Sequence, residues 1–333
     1  MNENTKHKRH PMPIIIATRG SALALAQANT VLDQCRAAFP KLEFEIKIIK
    51  TTGDKLQTAS LAQEGASLPK GLFTKELEVA LLEKRADMAV HSLKDLPTEL
   101  PTGLKLGAVG KRADVRDVLI YRSRSQTARR GFGPGLAVKD LPNGAVVATS
   151  STRRRAQLLT QNGSLKAPDI RGNVVTRMQK VAEQAELDAT VLALAGITRL
   201  KFRVTAEGRL EGDMVPEGLL ATILETEVML PCVGQGAVGI EIREQDEQLA
   251  AICERLNDYE TLQCVTAERA FLAGMGGGCQ SPVAAYAEVA GAELRMRALS
   301  FTNGPVRHAE TRRPLGEAVE LGKQLAAELR REA

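Results

Sequence analysis

A short apolar strand followed by a polar turn and the start of a helix recurs along this sequence, and this arrangement predicts an α/β fold. In the first copy, Ile14–Ala17 is followed by Thr18–Ser21 and then by strong helix formers that begin at Ala22. In the second copy, Ala145–Ala148 leads through three hydroxyl residues, Thr149–Ser151, into a helix. A helix N-terminus presents free N–H groups and the positive end of the helix dipole, so both junctions are expected to attract anions.

Arginines collect at these junctions. Arg19 lies in the first one, and Arg153, Arg154 and Arg155 occupy the first turn of the second helix. Cations at a helix N-terminus oppose the dipole, so we expect a negatively charged ligand to bind there. Further arginines near predicted strand ends are Arg171, Arg177 and Arg199. A guanidinium group grips a carboxylate through two hydrogen bonds, and the phosphate-binding pattern G-x-x-x-x-G-K-S/T is missing from the sequence, so a ligand with many carboxylates is favoured.

Length and composition exclude several classes of protein. A chain of 333 residues is expected to form two or three domains, and 44% apolar with 26% charged residues is typical of a soluble globular protein. No apolar run reaches membrane-spanning length. The charge of +5 would suit a nucleic-acid partner, but only 3% of residues are aromatic, so stacking platforms are scarce. The cysteines lack metal or disulfide spacing and favour a reducing cytoplasm: Cys35, Cys232, Cys253, Cys264 and Cys279.

A third candidate position follows the predicted central strand Ala86–Val90. Ligands in parallel α/β sheets collect at the carboxyl ends of strands, which makes Ser92, Lys94 and Asp95 candidate site residues. The alternative is an ordinary surface Lys–Asp pair.

The other elements are predicted from periodicity and turn residues. We expect a strand at Glu43–Ile49, a mobile surface loop at Gln57–Lys70 and a helix at Lys75–Glu83. The segment Arg112–Asp140 is interpreted as a crossover followed by a loop, and Lys201–Thr226 as an irregular excursion.

The C-terminal part changes character. A Gly-rich turn leads into a strand near Glu241, and Asn257 with Glu260 is expected to cap a helix at Thr261–Ala273. The period then becomes two, which predicts a hairpin, a third strand and a closing helix at Ala284–Val289, Leu294–Ala298, Val306–Glu310 and Glu317–Arg331.

Cys279 lies between these parts, in a glycine-rich loop from Gly274 to Pro282. Glycines permit unusual backbone angles and leave space, so such a loop could hold the thiol beside something large. The plain alternative is a small buried cysteine at a helix–strand turn.

Motifs in order along nearly the whole chain resemble those of the porphobilinogen deaminases, also called hydroxymethylbilane synthases. They are Ala17–Ser21, Lys70–Glu78, His91–Asp95, Thr149–Ser151, Arg171–Asn173, Val233–Glu241 and Gly277–Gln280. The resemblance implies a transferase that joins four porphobilinogen molecules head to tail with loss of ammonia, giving the linear hydroxymethylbilane of haem biosynthesis. It also implies a dipyrromethane cofactor attached to Cys279 through a thioether. The product could be handed on to uroporphyrinogen-III synthase, and a monomer is expected.

The resemblance also assigns roles to residues. Asp95 is the expected catalytic carboxylate. The expected cofactor-binding residues are Ser92, Lys94, Thr149, Ser151, Arg153 and Arg154. The expected substrate-binding residues are Arg19, Ser21, Gln27, Lys70, Phe73, Arg171, Arg177 and Arg199. No metal is expected.

The family fold implies two doubly wound α/β domains like those of type II periplasmic-binding proteins, and a small α+β C-terminal domain with a three-stranded antiparallel sheet. The expected boundaries are 1–111 with 237–254, 112–236, and 255–333. A non-catalytic, two-lobed carboxylate-binding protein is the alternative function. The chain departs from the family in the loop before Lys70, at Thr152 and around Arg209–Pro216, and we interpret the last as surface.

Overall fold

The structure is a computed structural model that describes residues 12–52, 73–124, 130–278, 281–302 and 304–330. The predicted loop Gln57–Lys70 and the residues Lys70 and Cys279 lie outside these ranges. The helices and strands of the described part are, in order, β1 (Ile14–Thr18), α1 (Ala22–Ala38), β2 (Phe44–Ile48), α2 (Lys75–Leu82), β3 (Met88–Ser92), β4 (Leu104–Val109), β5 (Asp117–Arg122), β6 (Val147–Ala148), α3 (Thr152–Gln161), α4 (Val174–Glu183), β7 (Ala189–Ala193), α5 (Leu194–Arg199), β8 (Arg203–Val204), β9 (Leu210–Glu211), β10 (Leu219–Leu224), β11 (Val238–Arg243), α6 (Glu247–Leu256), α7 (Tyr259–Gly274), β12 (Val283–Ala290), β13 (Glu293–Ser300), β14 (Arg307–Pro314) and α8 (Ala318–Arg330).

The first sheet has the strand order β2-β1-β3-β11-β4. Strand β1 runs parallel to β2 and β3, whereas β11 lies antiparallel between β3 and β4. Side chains alternate between the faces, so that Ile16 packs with α1 and α6 on one side and Ala17 packs with α2 on the other. Both faces of the central strands are therefore buried, as a parallel-type sheet requires.

The second sheet has the order β10-β5-β7-β6, and a parallel bridge between Val146 and Lys166 continues it beyond β6. Strand β5 lies antiparallel between β7 and β10, as β11 does between β3 and β4. The two sheets thus share one arrangement, in which an antiparallel strand from elsewhere in the chain is inserted before the edge strand. The predicted α/β class is confirmed.

The third sheet is the antiparallel meander β12-β13-β14, and α7 and α8 pack on it around Phe271, Leu321 and Leu325. The predicted three-stranded antiparallel sheet is confirmed. Its last strand is longer than the predicted Val306–Glu310 and runs from Arg307 to Pro314.

Three local predictions were wrong. The predicted crossover contains β5, which is buried along its whole length, and the predicted excursion contains β10. Both are short apolar runs flanked by charged residues, so the periodicity of the sequence did not identify them as strands. The cap of α7 is Asp258, whose side chain accepts from the Thr261 N–H at 2.9 Å, whereas Asn257 accepts from the Val109 N–H.

Candidate active site

The first strand–helix junction is built by its own polar residues. Ser21 caps α1, because its hydroxyl accepts a hydrogen bond from the Ala24 N–H at 3.3 Å. The Arg19 guanidinium lies over the Phe73 ring, 4.2 Å from the ring centre. This cation–π contact joins the end of β1 to the segment just before α2.

The carboxyl end of β3 meets this junction. The Gln27 amide of α1 donates to the Ser92 hydroxyl at 2.9 Å, and the 3-10 turn Leu93–Asp95 follows directly. A cavity of about 70 Å³ lies between the two strand ends. It is lined by six of the predicted site residues, namely Arg19, Ser21, Gln27, Phe73, Ser92 and Asp95. The structure therefore brings together residues that are far apart in the sequence. Lys94, half-buried, lies on the same turn.

Other residues that line this cavity were not among the predicted site residues: Leu23, Ala24, Thr74, Val90 and His91. His91 is buried, and its Nε2 lies 3.0 Å from a carboxylate oxygen of Glu241, which has no exposed surface. The pair could not be found from spacing, because Glu241 comes from β11, which is next to β3 only in the folded sheet. A larger groove of about 700 Å³ along β9 and β10 contains none of the predicted site residues.

The second strand–helix junction differs from its prediction. Ser151 caps α3 by accepting from the Arg154 N–H, and the buried Thr149 hydroxyl accepts from the Ser151 N–H. The side chains of Arg153 and Arg154 are buried, and each donates to one oxygen of Asp117, at 2.8 and 2.7 Å. The expected anion beside these two arginines is thus supplied by the protein itself, and their clustering does not require a ligand.

Asp117 is fully ionised in this arrangement. Burial alone would raise the pKa of its carboxyl, but the guanidinium groups of Arg153 and Arg154 outweigh burial and lower the pKa from 3.8 to about 2. One carboxylate balances two cations here, so the group retains a net positive charge. The Nε atoms of both arginines are buried without a hydrogen-bond partner in the described part of the chain.

Arg177 and Arg199 differ from Arg153 and Arg154 because they donate to backbone carbonyls. The Arg177 Nε donates to the Gly172 carbonyl at 2.8 Å, and an Arg199 amino group donates to the Gly236 carbonyl at 2.7 Å. Burial, reinforced by the charges of Arg154 and Arg171, lowers the pKa of Arg177 to about 10, while Asp95 acts in the opposite direction. Burial likewise lowers the pKa of Arg199.

These shifts have a chemical meaning. A lowered arginine pKa means that the charged form is poorly stabilised, so an anion placed nearby would be bound favourably. Arg177 of α4 lies within electrostatic reach of Asp95 on the turn after β3. The exposed Arg171 extends the positive region outward from Arg177. The arrangement can therefore bind a molecule with several carboxylates next to a fixed aspartate.

In the described ranges, His, Cys, Asp and Glu side chains form no group of three or more that could hold a metal ion. None of the helices in the described part is long and apolar enough to cross a membrane.

Two protein-family models match this chain. A family model described as "Porphobilinogen deaminase, dipyromethane cofactor binding domain" matches residues 14–251, and one described as "Porphobilinogen deaminase, C-terminal domain" matches residues 262–331. The chain is 42% identical over 322 residues to the porphobilinogen deaminase of Paracoccus denitrificans, covering 96% of this chain and 94% of that protein. It is 40% identical over 326 residues to that of Desulforamulus reducens, covering 97% and 94%.

Proposed function

The chain belongs to the porphobilinogen deaminase family, and from this premise we propose that Asp95 is the carboxylate on which its reaction depends. The protein is a transferase of tetrapyrrole and haem biosynthesis that joins four porphobilinogen molecules head to tail, releases ammonia and forms hydroxymethylbilane. In full, the enzyme proposed is a hydroxymethylbilane synthase. A non-catalytic carboxylate-binding protein is not favoured.

The residues of the site fit the dipyrromethane cofactor of the family. The cofactor supplies a covalently held acceptor pyrrole, and we propose Cys279, outside the described residues, as its attachment point. Each pyrrole of porphobilinogen carries an acetate and a propionate. The single observation that carries this fit is the cavity that Arg19 and Asp95 line together at the strand ends, and the half-buried Arg177, whose pKa is lowered by burial, supports it.

We propose that Asp95 acts directly on the substrate. Loss of ammonia from the aminomethyl group of porphobilinogen leaves a cationic azafulvene. A fixed carboxylate beside the pyrrole nitrogen stabilises that cation and can accept or return a proton. The position of Asp95 in a short 3-10 turn at a strand end, lining the cavity, supports this role.

The binding residues divide between the two sides of the cleft. For the cofactor carboxylates we propose Ser92, Lys94, Thr149, Ser151, Arg153 and Arg154. Because Arg153 and Arg154 already pair with Asp117, we expect them to act through their net charge and their Nε atoms. For the substrate we propose Arg19, Ser21, Gln27, Lys70, Phe73, Arg171, Arg177 and Arg199; Lys70 lies outside the described residues.

We propose that the cavity widens to admit a pyrrole. Its volume of about 70 Å³ is far below the roughly 300–1,000 Å³ of typical ligand sites. On the closed side, Leu23 of α1 approaches α5, and a Cβ added to Gly196 would lie 3.7 Å from its Cδ2 atom. We propose that separation of α1 from α5 opens the site and paces turnover.

Intact-protein mass spectrometry with turnover assays tests the function. The purified wild-type chain should carry the mass of a dipyrromethane adduct, and Cys279→Ser should lack it. Asp95→Asn should keep the fold and the adduct but lose most turnover, while the exposed Asp33→Asn on α1 should behave as wild type. Active wild-type enzyme with the mass of the bare polypeptide would contradict the proposal, and near-normal turnover of Asp95→Asn would remove Asp95 from the mechanism.

The remaining assignments are proposals as well. We propose a cytoplasmic monomer without nucleic-acid or membrane partners, which could hand its product to uroporphyrinogen-III synthase. The free cysteines Cys35, Cys232, Cys253 and Cys264 support a reducing compartment. We keep the boundaries 1–111 with 237–254, 112–236 and 255–333, supported by the return of β11 to the first sheet. Light scattering after size-exclusion chromatography tests the monomer.

A further inference from the structure

An arginine of helix α7 binds the segment that follows the turn carrying Asp95. One amino nitrogen of Arg269 donates to the carbonyl of Leu96. The other donates to the carbonyls of Pro97 and Thr98. The nitrogen–oxygen distances are 3.2, 2.6 and 3.2 Å. These carbonyls follow the 3-10 turn Leu93–Asp95 directly, so the guanidinium holds the turn from its C-terminal side.

The preceding residue of α7 is linked to the same turn indirectly, through Gly234. Glu268 has no exposed surface, pairs with Arg112 at 2.7 Å and accepts from the Gly234 N–H at 2.7 Å. Gly234 lies against the turn, because a Cβ added to it would be 3.1 Å from the backbone nitrogen of Lys94. The Leu93 N–H is in turn bound by the carbonyl of Ala237 at 3.1 Å.

The other end of α7 leads towards the tether. The helix ends at Gly274, and Cys279, the proposed attachment point of the primer, follows shortly after it. The helix is therefore the shortest covalent connection between the contacts on the Asp95 turn and the primer. A shift of α7 at Arg269 would therefore move the C-terminal end of the helix, from which the chain continues to Cys279, relative to Asp95.

We propose that Arg269 is a positioning residue that fixes the Asp95 turn relative to the end of α7. The inference rests on the proposed function, because it supposes a primer that must meet the carboxylate in the same geometry at each addition. The planar guanidinium is suited to the task, since its two amino groups reach three carbonyls together, whereas an ammonium is a single point of attachment. Arg269 touches neither substrate nor cofactor in this role and acts through Asp95.

Arg269→Lys tests the inference, with the exposed Arg312→Lys on β14 as the matched control. Adduct mass, thermal unfolding, kcat and KM are measured on each purified full-length protein, and the masses of enzyme–substrate intermediates are recorded during turnover. A misplacement of about 1 Å can lower a rate about 100-fold, so kcat of Arg269→Lys should fall by roughly 10- to 100-fold. KM and adduct mass should stay as in wild type, Tm should fall by no more than about 4 °C, and partly elongated intermediates should accumulate.

A purely structural role would lower Tm and leave kcat of the folded, adduct-bearing protein unchanged, which would overturn the inference. A folded Arg269→Lys protein without adduct would assign the residue to primer assembly and overturn the positioning role as well. If wild type itself has neither adduct nor turnover, the proposed function and this inference both fall. If wild type is loaded and active and the variant equals it, only the inference about Arg269 falls.

Discussion

Replacing Asp117 with asparagine should strongly destabilise the sheet that contains β5. The Asp117 carboxylate has no exposed surface and binds Arg153 and Arg154, which are themselves buried, through separate oxygens. Asparagine keeps the shape but leaves two buried guanidinium groups without a countercharge. Removing one partner of a buried ion pair costs about 3–5 kcal/mol, which corresponds to a fall in Tm of roughly 6–20 °C.

The pH dependence of this effect has a definite sign. The pKa of Asp117 is lowered from 3.8 to about 2 in the folded protein, so its charge stabilises the fold above pH 3.8 and this contribution is lost as the pH falls towards 2. At 1.36 kcal/mol per pH unit, the contribution is roughly 2.4 kcal/mol. The Asp117→Asn variant has no such group, so the gap in Tm between the two proteins should narrow as the pH is lowered from 5 towards 2.

Thermal unfolding followed by circular dichroism at several pH values measures both effects. The control is Asp169→Asn, because Asp169 pairs with the next arginine of the same helix, Arg155, but its side chain is 57% exposed. An exposed pair contributes about 0–1 kcal/mol, so this variant should unfold within a few degrees of wild type. The reasoning fails if Asp117→Asn unfolds within about 2 °C of wild type at neutral pH, or if the gap does not change with pH.

Other substitutions have expected outcomes of different kinds. Arg177→Gln should lower kcat/KM roughly 10- to 100-fold, because a charge-assisted hydrogen bond of about 1.5–3 kcal/mol is lost, and an unchanged value in steady-state kinetics would exclude Arg177 from binding. Gly234→Ala should lower both Tm and turnover, because the added Cβ would lie 3.1 Å from the Lys94 backbone nitrogen, whereas Gly144→Ala, with the same φ of 71° and nothing within 4 Å, should lower Tm through backbone strain alone. Ser21→Ala should lower the free energy of unfolding, measured in urea, by about 1 kcal/mol, because it removes the side-chain cap of α1. An unchanged free energy of unfolding would show that this cap does not stabilise the helix.

Local signals in the sequence predicted the junctions well. A strand end, a hydroxyl residue and a helix start are neighbours in the chain, so a helix N-terminus could be predicted at each junction, where the structure shows Ser21 and Ser151 as caps. The same holds for the turn after β3, where Ser92 and Asp95 were expected at a strand end and are found lining the cavity. What depends on neighbours along the chain could be inferred before the fold was known.

Long-range contacts could not be inferred in this way. Strand β5 begins with the buried Asp117 and ends with the buried Arg122, and such charged ends look like a loop in a sequence. The partners that make these charges tolerable come from distant parts of the chain, as Arg153 does for Asp117. For the same reason the sequence suggested that Arg153 needs a ligand anion, and the structure shows that the protein supplies one.

This difference separates the arginines of the cleft into two groups. Arg153 and Arg154 form ion pairs with the carboxylate of Asp117, and this pairing stabilises the second sheet. For Arg177 and Arg199 the described residues offer backbone carbonyls and no carboxylate within ion-pair distance, and burial lowers the pKa of both. A cation that is desolvated and bound only to carbonyls gains most from an added carboxylate. The affinity for an acidic substrate should therefore depend chiefly on these two, although in the sequence all four arginines look alike.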